Sequence, residues 1–394
     1  MKDIIFMLSK DAMCCEYLPV YSKSNKYGKT PNLDELAKKG TVFNKHYTSG
    51  GSTAMAFSSI LTGKEPFEFE NRRSYKEVEQ NEKESIFSIL QNQGYECHMI
   101  WDKEFKHVAY PYIKEFGNEE KTKFHYLDII QCLGYKSHEG ELKRDDAVLN
   151  ATIKKITDEL DAIDLSKKQF IWLHLPHVLK GRISYGDDID AFDSILGYIR
   201  NKFGDDSIYI TSDHGNMNMH KGKVGYGFDV YEPIAKVPLI TPRINNLEAI
   251  NSLTSHTDLI DIILNNHIPE HKYVFCDNAY YAQPQRKLAV IGERYKYIYN
   301  RETKSEELYD LVWDEAEEYN ILNDKYFEKR RLIYITYSEL FLYPYREEAL
   351  KAANELRQIK NSVWREPNKL EGLYIKTRQN AGLIKRYIIS KIKG

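Results

Sequence analysis

Short apolar runs alternate with segments of helical period over the first 265 residues, and this alternation constrains the fold more than any other feature. The runs that predict buried strands are residues 4–9, 95–101, 170–175, 207–211 and 237–241, with residues 41–47 alternating like a half-buried strand. Apolar spacing or terminal capping residues predict helices over residues 30–40, 56–61, 85–93, 146–165, 189–203 and 258–265. Because strands that alternate with helices form parallel sheets covered by helices, we predict an α/β fold with a mostly parallel sheet sandwiched by helices.

The chain beyond residue 272 follows a different pattern. Residues 287–292, 295–299 and 307–311 are typical of short antiparallel strands. From residue 326 the pattern is helical, and it ends in a tail over residues 376–394 that holds six Lys/Arg and no acid. We therefore predict an α/β core over residues 1–272, a small antiparallel β subdomain over residues 273–325, and a helical, basic C-terminal tail over residues 326–394.

The composition restricts the partners and the compartment. With 56 basic and 58 acidic side chains the net charge is −2, which gives no indication of a nucleic-acid partner. Five cysteines without metal-ligand spacing predict reduced thiols in a cytoplasmic protein. We expect no signal peptide and no transmembrane helix, because the apolar runs are too short. The basic tail fits either peripheral contact with an anionic inner-membrane surface or a packed terminal helix.

Polar side chains follow three of the predicted strands directly. Asp11 comes after the first strand, His174 and His177 lie at the end of the strand 170–175, and Asp213 and His214 follow the strand 207–211. In parallel α/β sheets, sites lie beyond the carboxyl ends of the strands. We therefore expect these three dispersed segments to meet at one edge of the sheet.

Thr53 lies in the loop before the predicted helix 56–61, where helix N–H groups favour an anionic ligand. A hydroxyl, two carboxylates and an imidazole around one hard divalent ion suit phosphoryl or sulfuryl transfer. The ion lowers the pKa of the hydroxyl and neutralises charge on the non-bridging oxygens. Structural interpretations stay open: Asp11 as a helix cap, Asp213 as a turn residue, and Thr53 as an N-cap hydroxyl that Ser52 could also supply.

In this order the segments resemble the sulfatase branch of the alkaline phosphatase superfamily over residues 3–322. The motifs that carry the resemblance are Thr30–Ala37 with Gly40 and Phe43, Ser58–Gly63, Gly94-Tyr95, Pro176-His177, Thr211–Gly215, Val237–Ile240, Ser255–Leu259, Arg294–Ile298, and Glu307–Leu311 with Asn320. The resemblance implies an alkaline phosphatase-like fold whose C-terminal subdomain is antiparallel.

The sequence departs from the sulfatases at the nucleophile. A sulfatase carries a Cys or Ser that is oxidised to formylglycine, with an Arg four residues later, whereas this chain has Thr53 and Phe57 at those positions. Ser52 is one residue out of register. Thr in this slot resembles the phosphoryl-transfer members: nucleotide pyrophosphatases, lipoteichoic acid synthase and lipid A phosphoethanolamine transferases. The carboxylate that completes the two-zinc site of the pyrophosphatases has no counterpart after residues 170–173, so the single-metal transferases are the better match.

The resemblance implies a set of ligands for one divalent metal ion: Asp11, Thr53, Asp213 and His214. Two carboxylates, an imidazole and a hydroxyl suit Zn²⁺ first and Mn²⁺ second, since Ca²⁺ prefers six or more oxygens. Thr53 is then the covalent nucleophile.

Four histidines and a lysine complete the candidates. The resemblance implies that His177 is catalytic and contacts substrate, either binding the phosphoryl oxygens or protonating the leaving alkoxide. The resemblance also implies that His220 and Lys103 contact the substrate. The alternative for each is an ordinary surface residue. We interpret His174 as a buried structural residue and His256 as a helix cap.

The leading hypothesis is a metal-dependent phosphotransferase. It would move a phosphoethanolamine, phosphoglycerol or phosphonate-type group from a phosphodiester donor, through a phospho-threonine at Thr53, to a glycan or cell-envelope precursor. The alternatives are a phosphodiesterase or phosphonate monoesterase with water as the acceptor, a sulfatase, and a non-catalytic binding protein.

Overall fold

The computed structural model describes residues 3–22, 29–68, 84–103, 121–127, 135–138, 141–144, 146–176, 185–278, 286–323 and 338–364, with residues 370, 373 and 377. These residues form two compact units. The first takes in the described residues of Met1–Tyr226 and Pro233–His271, and the second those of Gly227–Glu232 and Lys272–Gly394.

A mostly parallel sheet forms the centre of the first unit. The strands of this unit are β1 (Ile4–Lys10), β2 (Thr41–Phe43), β3 (His46–Tyr47), β4 (Glu96–Asp102), β5 (Thr122–Leu127), β6 (Tyr135–His138), β7 (Glu141–Arg144), β8 (Gln169–Leu175), β9 (Ile208–Ser212), β10 (Leu239–Thr241), β11 (Ala249–Ile250) and β12 (Thr254–Ser255). Among the described residues, eight of them form one sheet in the order β11-β2-β10-β9-β1-β8-β4-β5. The central strand β1 is parallel to β8 and β9, and only β10 runs antiparallel to its neighbours.

Helices cover both faces of this sheet. The helices of the described chain are α1 (Pro31–Lys39), α2 (Thr53–Thr62), α3 (Ile86–Asn92), α4 (Asp146–Asp161), α5 (Tyr185–Phe203), α6 (Glu232–Ala235), α7 (Leu259–Asn265) and α8 (Ser338–Val363). Successive side chains of a strand point to opposite faces, so Met7 packs in a core with residues of α2, α3 and α7, and Leu8 packs with residues of α1, α4 and α5. The α/β sandwich predicted from the sequence is confirmed.

Residues 41–47, predicted as one strand, form two short strands with different partners. β2 belongs to the large sheet, while β3 pairs with β12. The change occurs at Asn44 and Lys45, where Asn44 N donates to Ile250 O at 2.8 Å and Lys45 O accepts from Thr254 N at 3.0 Å. Alternation in the sequence continues through this change of partner and therefore does not reveal it.

The second unit contains a four-stranded antiparallel sheet in the order β13 (Tyr273–Asp277), β14 (Lys287–Gly292), β15 (Tyr295–Asn300) and β16 (Glu306–Asp310). The antiparallel strands predicted here are confirmed, and β13 is an additional one. Helix α8 packs on β14 and β15, and its Arg357 makes a two-pronged ion pair with Glu306 at 2.7 and 2.5 Å. The predicted basic tail, residues 376–394, lies outside the described residues apart from Thr377.

No helix in the described ranges combines the length and the apolar character needed to cross a lipid bilayer.

Candidate active site

The sheet brings Asp11 and Asp213 together. β1 and β9 are parallel neighbours with Lys10 opposite Ser212, so the next residues of both strands leave the same edge of the sheet. The backbone N–H of Ala12 donates to Asp213 Oδ1 at 3.1 Å, which ties the two strand ends to each other.

Asp11, Asp213 and His214 form a cluster whose ligand atoms all lie within 4.8 Å of one another. His214 Nε2 is 3.5 Å from Asp11 Oδ1 and 3.3 Å from Asp213 Oδ2. Asp213 and His214 are 0% exposed and Asp11 is 3% exposed. Burying two carboxylates is costly unless a cation or donors compensate their charge.

The orientation of these side chains suits a divalent metal ion. Asp213 Oδ1 accepts from the backbone N–H groups of Ala12 and His214, at 3.1 and 2.8 Å, whereas Oδ2 accepts no hydrogen bond from any residue that the structure describes. His214 Nδ1 lies 2.9 Å from Gly215 O. A carbonyl only accepts, so Nδ1 carries a hydrogen, and Nε2, which faces the carboxylates, is the nitrogen placed to bind a metal ion. The cluster is a candidate divalent-metal site.

Thr53 joins this cluster from the first position of helix α2. Its hydroxyl oxygen lies 3.3 Å from His214 Nε2, and the residue is 3% exposed. The helix begins after Ser52, whose side chain makes no capping hydrogen bond. The alternative in which Thr53 serves as the N-cap hydroxyl therefore does not describe this helix.

His256 supports the strand end that carries the cluster. We interpreted it as a helix cap, but that interpretation is wrong: Ser255 caps the helical turn and His256 binds elsewhere. Its Nε2 lies 2.9 Å from Ser212 O, and its Nδ1 lies 3.2 Å from the hydroxyl of Thr48, which donates to Asp213 O at 2.6 Å. Burial lowers the pKa of His256 to about 3, so the ring is neutral and holds the backbone on either side of Asp213.

His174 is fully buried, as predicted. Its Nδ1 lies 2.8 Å from the hydroxyl of Ser9, and its ring packs edge-on against Phe57 at 4.8 Å. Burial lowers the pKa of His174 to about 3.

The structure describes two of the three predicted substrate contacts. Lys103 is exposed just beyond β4, and His220 is half-buried in the loop that follows β9. His220 is not a member of the Asp11–Asp213–His214 group. His177 lies outside the described residues. Substrate contact by these three residues stays a prediction.

Sequence reasoning missed two residues beside the cluster. Lys10 is buried, and its ammonium lies 2.7 Å from Asp188 Oδ2 and 3.1 Å from Pro176 O. A lysine at the end of an apolar strand was a usable signal for such a pair. Tyr226 places its ring 4.2 Å from the ring of His214. The glycines on both sides of Tyr226 were the only hint of a special position in the sequence.

The comparisons with known proteins agree with this architecture. The sulfatase family model matches residues 4–178, which include Asp11 and Thr53 but not Asp213 or His214. No curated protein sequence matches the chain significantly.

Three solved structures illustrate the shared fold. A phosphonate monoester hydrolase of Agrobacterium radiobacter has a TM-score of 0.59 and 14% identity, covering 94% of this chain and 99% of its own. A phosphonate monoester hydrolase of Silicibacter pomeroyi has a TM-score of 0.60 and 13% identity, covering 85% and 95%. A 2-O glycosaminoglycan sulfatase has a TM-score of 0.61 and 16% identity, covering 88% and 94%. Residues 4–178 therefore match the sulfatase family model, and the chain has a sulfatase- and alkaline phosphatase-like fold.

Proposed function

We propose that the chain is a metal-dependent phosphotransferase in which Thr53 is the nucleophile. The observation that supports this most is the position of the Thr53 hydroxyl, 3.3 Å from His214 Nε2 at the N-terminus of α2. It puts an alcohol beside two buried carboxylates and an imidazole nitrogen, near helix N–H groups that can bind an anion.

The four residues Asp11, Asp213, His214 and Thr53 would hold one divalent ion, with Zn²⁺ the first choice and Mn²⁺ the second. Such an ion lowers the pKa of a bound hydroxyl and offsets negative charge on phosphoryl oxygens.

In the first step, Thr53 Oγ1 gives up its proton to solvent and forms a bond to phosphorus. The ester bond to the leaving alcohol breaks, and that alcohol takes up a proton, for which His177 is the predicted donor. In the second step, an acceptor hydroxyl gives up its proton, for which His177 is the predicted acceptor after it has protonated the leaving alcohol, and attacks phosphorus. The bond to Thr53 then breaks, and Thr53 Oγ1 regains a proton from solvent.

Phe57 favours phosphoryl transfer over sulfate ester cleavage. It occupies the position at which the resemblance to sulfatases calls for an arginine. Its side chain is fully buried and packs 4.8 Å from the rings of both Trp172 and His174. A side chain in this apolar setting supplies no charge to a sulfate, and Thr53 is not a precursor of formylglycine.

The substrates follow from the resemblance to the transferases. We propose a phosphodiester donor that carries phosphoethanolamine, phosphoglycerol or a phosphonate, and a glycan or cell-envelope precursor as the acceptor. The enzyme would act in the cytoplasm, with the basic tail available for peripheral contact with the inner membrane. The shared fold with two phosphonate monoester hydrolases favours a second candidate, hydrolysis of phosphonate monoesters or phosphodiesters with water as the acceptor.

Intact mass spectrometry tests the nucleophile. The zinc-loaded protein is incubated with glycerophosphodiesters, phosphoethanolamine diesters and p-nitrophenyl phenylphosphonate, then quenched in acid and mapped by peptide. We expect an adduct with the mass of the transferred group on Thr53. A glycan added before the quench should discharge the adduct to a glycan product if the chain is a transferase, or to free acid if it is a hydrolase.

Matched variants separate the remaining alternatives. Thr53→Ala should abolish the adduct and Ser52→Ala should leave it in place. Aryl sulfate turnover that survives in Thr53→Ala would instead favour a sulfatase that uses Ser52. A protein that retains no metal and turns over no diester would be a binding protein.

A further inference from the structure

Tyr226 is a partly exposed side chain in direct contact with the buried cluster. Its ring lies 4.2 Å from the ring of His214, at an angle of 38°. Asp11, Thr53, Asp213 and His214 are all at most 3% exposed, whereas Tyr226 is half-buried. A molecule that approaches the cluster past Tyr226 therefore meets this phenol before it meets the ligand atoms.

The hydroxyl of Tyr226 is a hydrogen-bond donor. A tyrosine phenol has an ordinary pKa of about 10, so it keeps its proton at neutral pH.

The backbone around Tyr226 fixes this position. Gly225 and Gly227 have φ values of 97° and 82°, a region that residues with a Cβ rarely adopt. Gly225 N donates to Asn216 Oδ1 at 3.1 Å, and Gly225 O accepts from Met217 N at 3.0 Å. These hydrogen bonds fold the loop after His214 back on itself, so that Tyr226 lies against the same cluster.

We propose that Tyr226 contacts the substrate, with its hydroxyl donating a hydrogen bond to a non-bridging oxygen of the tetrahedral group that Thr53 attacks. The two carboxylates can only accept hydrogen bonds, so a phosphoryl group beside them needs donors aimed at its oxygens. Tyr226 can supply such a donor from a partly exposed position beside the cluster, where its ring packs against His214. The inference rests on the proposed function for the identity of the group, but binding of a tetrahedral oxyanion does not require Thr53 to react.

The test uses inorganic phosphate as the probe and calorimetry on the full zinc-loaded chain. Tyr226→Phe removes the hydroxyl and keeps the ring. Tyr198→Phe, on helix α5, is the matched control. It also removes a phenol hydroxyl, one that donates a hydrogen bond to Asp161 Oδ1 at 2.6 Å. We expect Tyr226→Phe to weaken phosphate binding about tenfold or more, since hydrogen bonds to charged groups are the stronger ones. Zinc affinity and the unfolding midpoint should match those of the wild type, and Tyr198→Phe should bind phosphate normally.

Turnover gives a second readout. For bis(p-nitrophenyl) phosphate, kcat/KM of Tyr226→Phe should fall by about ten- to a hundredfold. Unchanged phosphate affinity and turnover in Tyr226→Phe would overturn the proposal, and so would a loss of zinc affinity, which would make Tyr226 a support for the metal site. Weakened phosphate binding without any adduct on Thr53 in the wild type would uphold the role of Tyr226 and reject the proposed nucleophile. Tighter binding of sulfate than of phosphate, lost in Tyr226→Phe, would uphold the donor and reject phosphoryl transfer.

Discussion

Two regions of the molecule bury a pair of carboxylates, and they compensate the charge in different ways. In the second unit, Lys296 places its ammonium 3.0 Å from Glu232 Oε1 and 3.0 Å from Glu317 Oε1. Burial acts to lower the pKa of Lys296, but the two glutamates overcome it and raise the pKa above its ordinary value. This cluster contains its own cation.

At the edge of the large sheet, Asp11 and Asp213 lie beside the ring of His214. Lys10 directly precedes Asp11, but its ammonium is paired with Asp188. Buried carboxylates normally have a charge partner or a metal. The comparison shows how a structural ion cluster differs from a candidate metal site: a lysine of the chain lies between Glu232 and Glu317, while Asp11, Asp213 and His214 offer ligand atoms to an ion.

The largest effect should come from Asp213→Asn. The amide oxygen can still accept from Ala12 N and His214 N, but the ligand oxygen Oδ2 becomes an N–H donor. We expect kcat/KM to fall about 10⁴-fold, which corresponds to about 5 kcal/mol, and zinc binding by calorimetry to be lost. In the presence of a chelator the variant should be at least as stable as the wild type, because a buried charge without a cation has been removed. A variant that keeps its zinc and its activity would show that Asp213 is not needed to bind the ion.

The next largest effect should come from Lys296→Met, which keeps most of the side-chain volume and removes the ammonium. Glu232 and Glu317 would remain buried without a cation, at a cost of about 3–5 kcal/mol. Urea denaturation followed by circular dichroism measures this loss, and exchange of backbone amides in β15 localises it to the second unit. Stability equal to that of the wild type would show that the ammonium is not needed there.

Removal of the metal should have a smaller effect on stability, confined to the first unit. An ion present at about a hundred times its dissociation constant stabilises the folded state by about 2.7 kcal/mol. Chelation should therefore lower the thermal midpoint by several degrees, and added Zn²⁺ or Mn²⁺ should restore it. Asp213→Asn is the control, because it should respond to neither treatment. An unchanged midpoint in the wild type would argue against a metal at the sheet edge.

The smallest effect should be the pH dependence contributed by Glu317. Burial is the main cause that raises its pKa from 4.5 to about 7. A carboxyl whose pKa is higher in the folded state stabilises the fold below about pH 4.5, and this contribution is lost as the pH rises through about 7. Between pH 5 and 8 the wild type should lose about 2.5 kcal/mol relative to Glu317→Gln. Denaturation curves of both proteins at pH 5 and pH 8 measure this loss. A wild type that gains stability relative to Glu317→Gln as the pH rises would contradict a raised pKa for Glu317.

The sequence was sufficient for six of the eight strands of the large sheet and for Asp11, Asp213 and His214 at its edge. Apolar runs that end in Asp11 and in Asp213-His214 mark the carboxyl ends of strands, and parallel topology then places these ends together. The sequence also placed Thr53 in the loop before a predicted helix, which made it a candidate nucleophile.

Other features depend on long-range geometry that no local pattern encodes. The split of residues 41–47 follows from a change of partner strand, and the partners β11 and β12 are two residues each. His256 contacts a strand end 44 residues away in the chain. Tyr226 meets His214 only because the intervening loop closes on itself through Asn216 and Gly225.

Anomalous diffraction at the zinc edge, from crystals of the zinc-loaded chain, tests the central claim most directly. The account predicts one strong peak at the sheet edge, at about 2.0–2.2 Å from ligand atoms of Asp11, Asp213 and His214 and from the hydroxyl of Thr53. A peak elsewhere, or an ion bound at the edge with Thr53 turned away from it, would contradict the account.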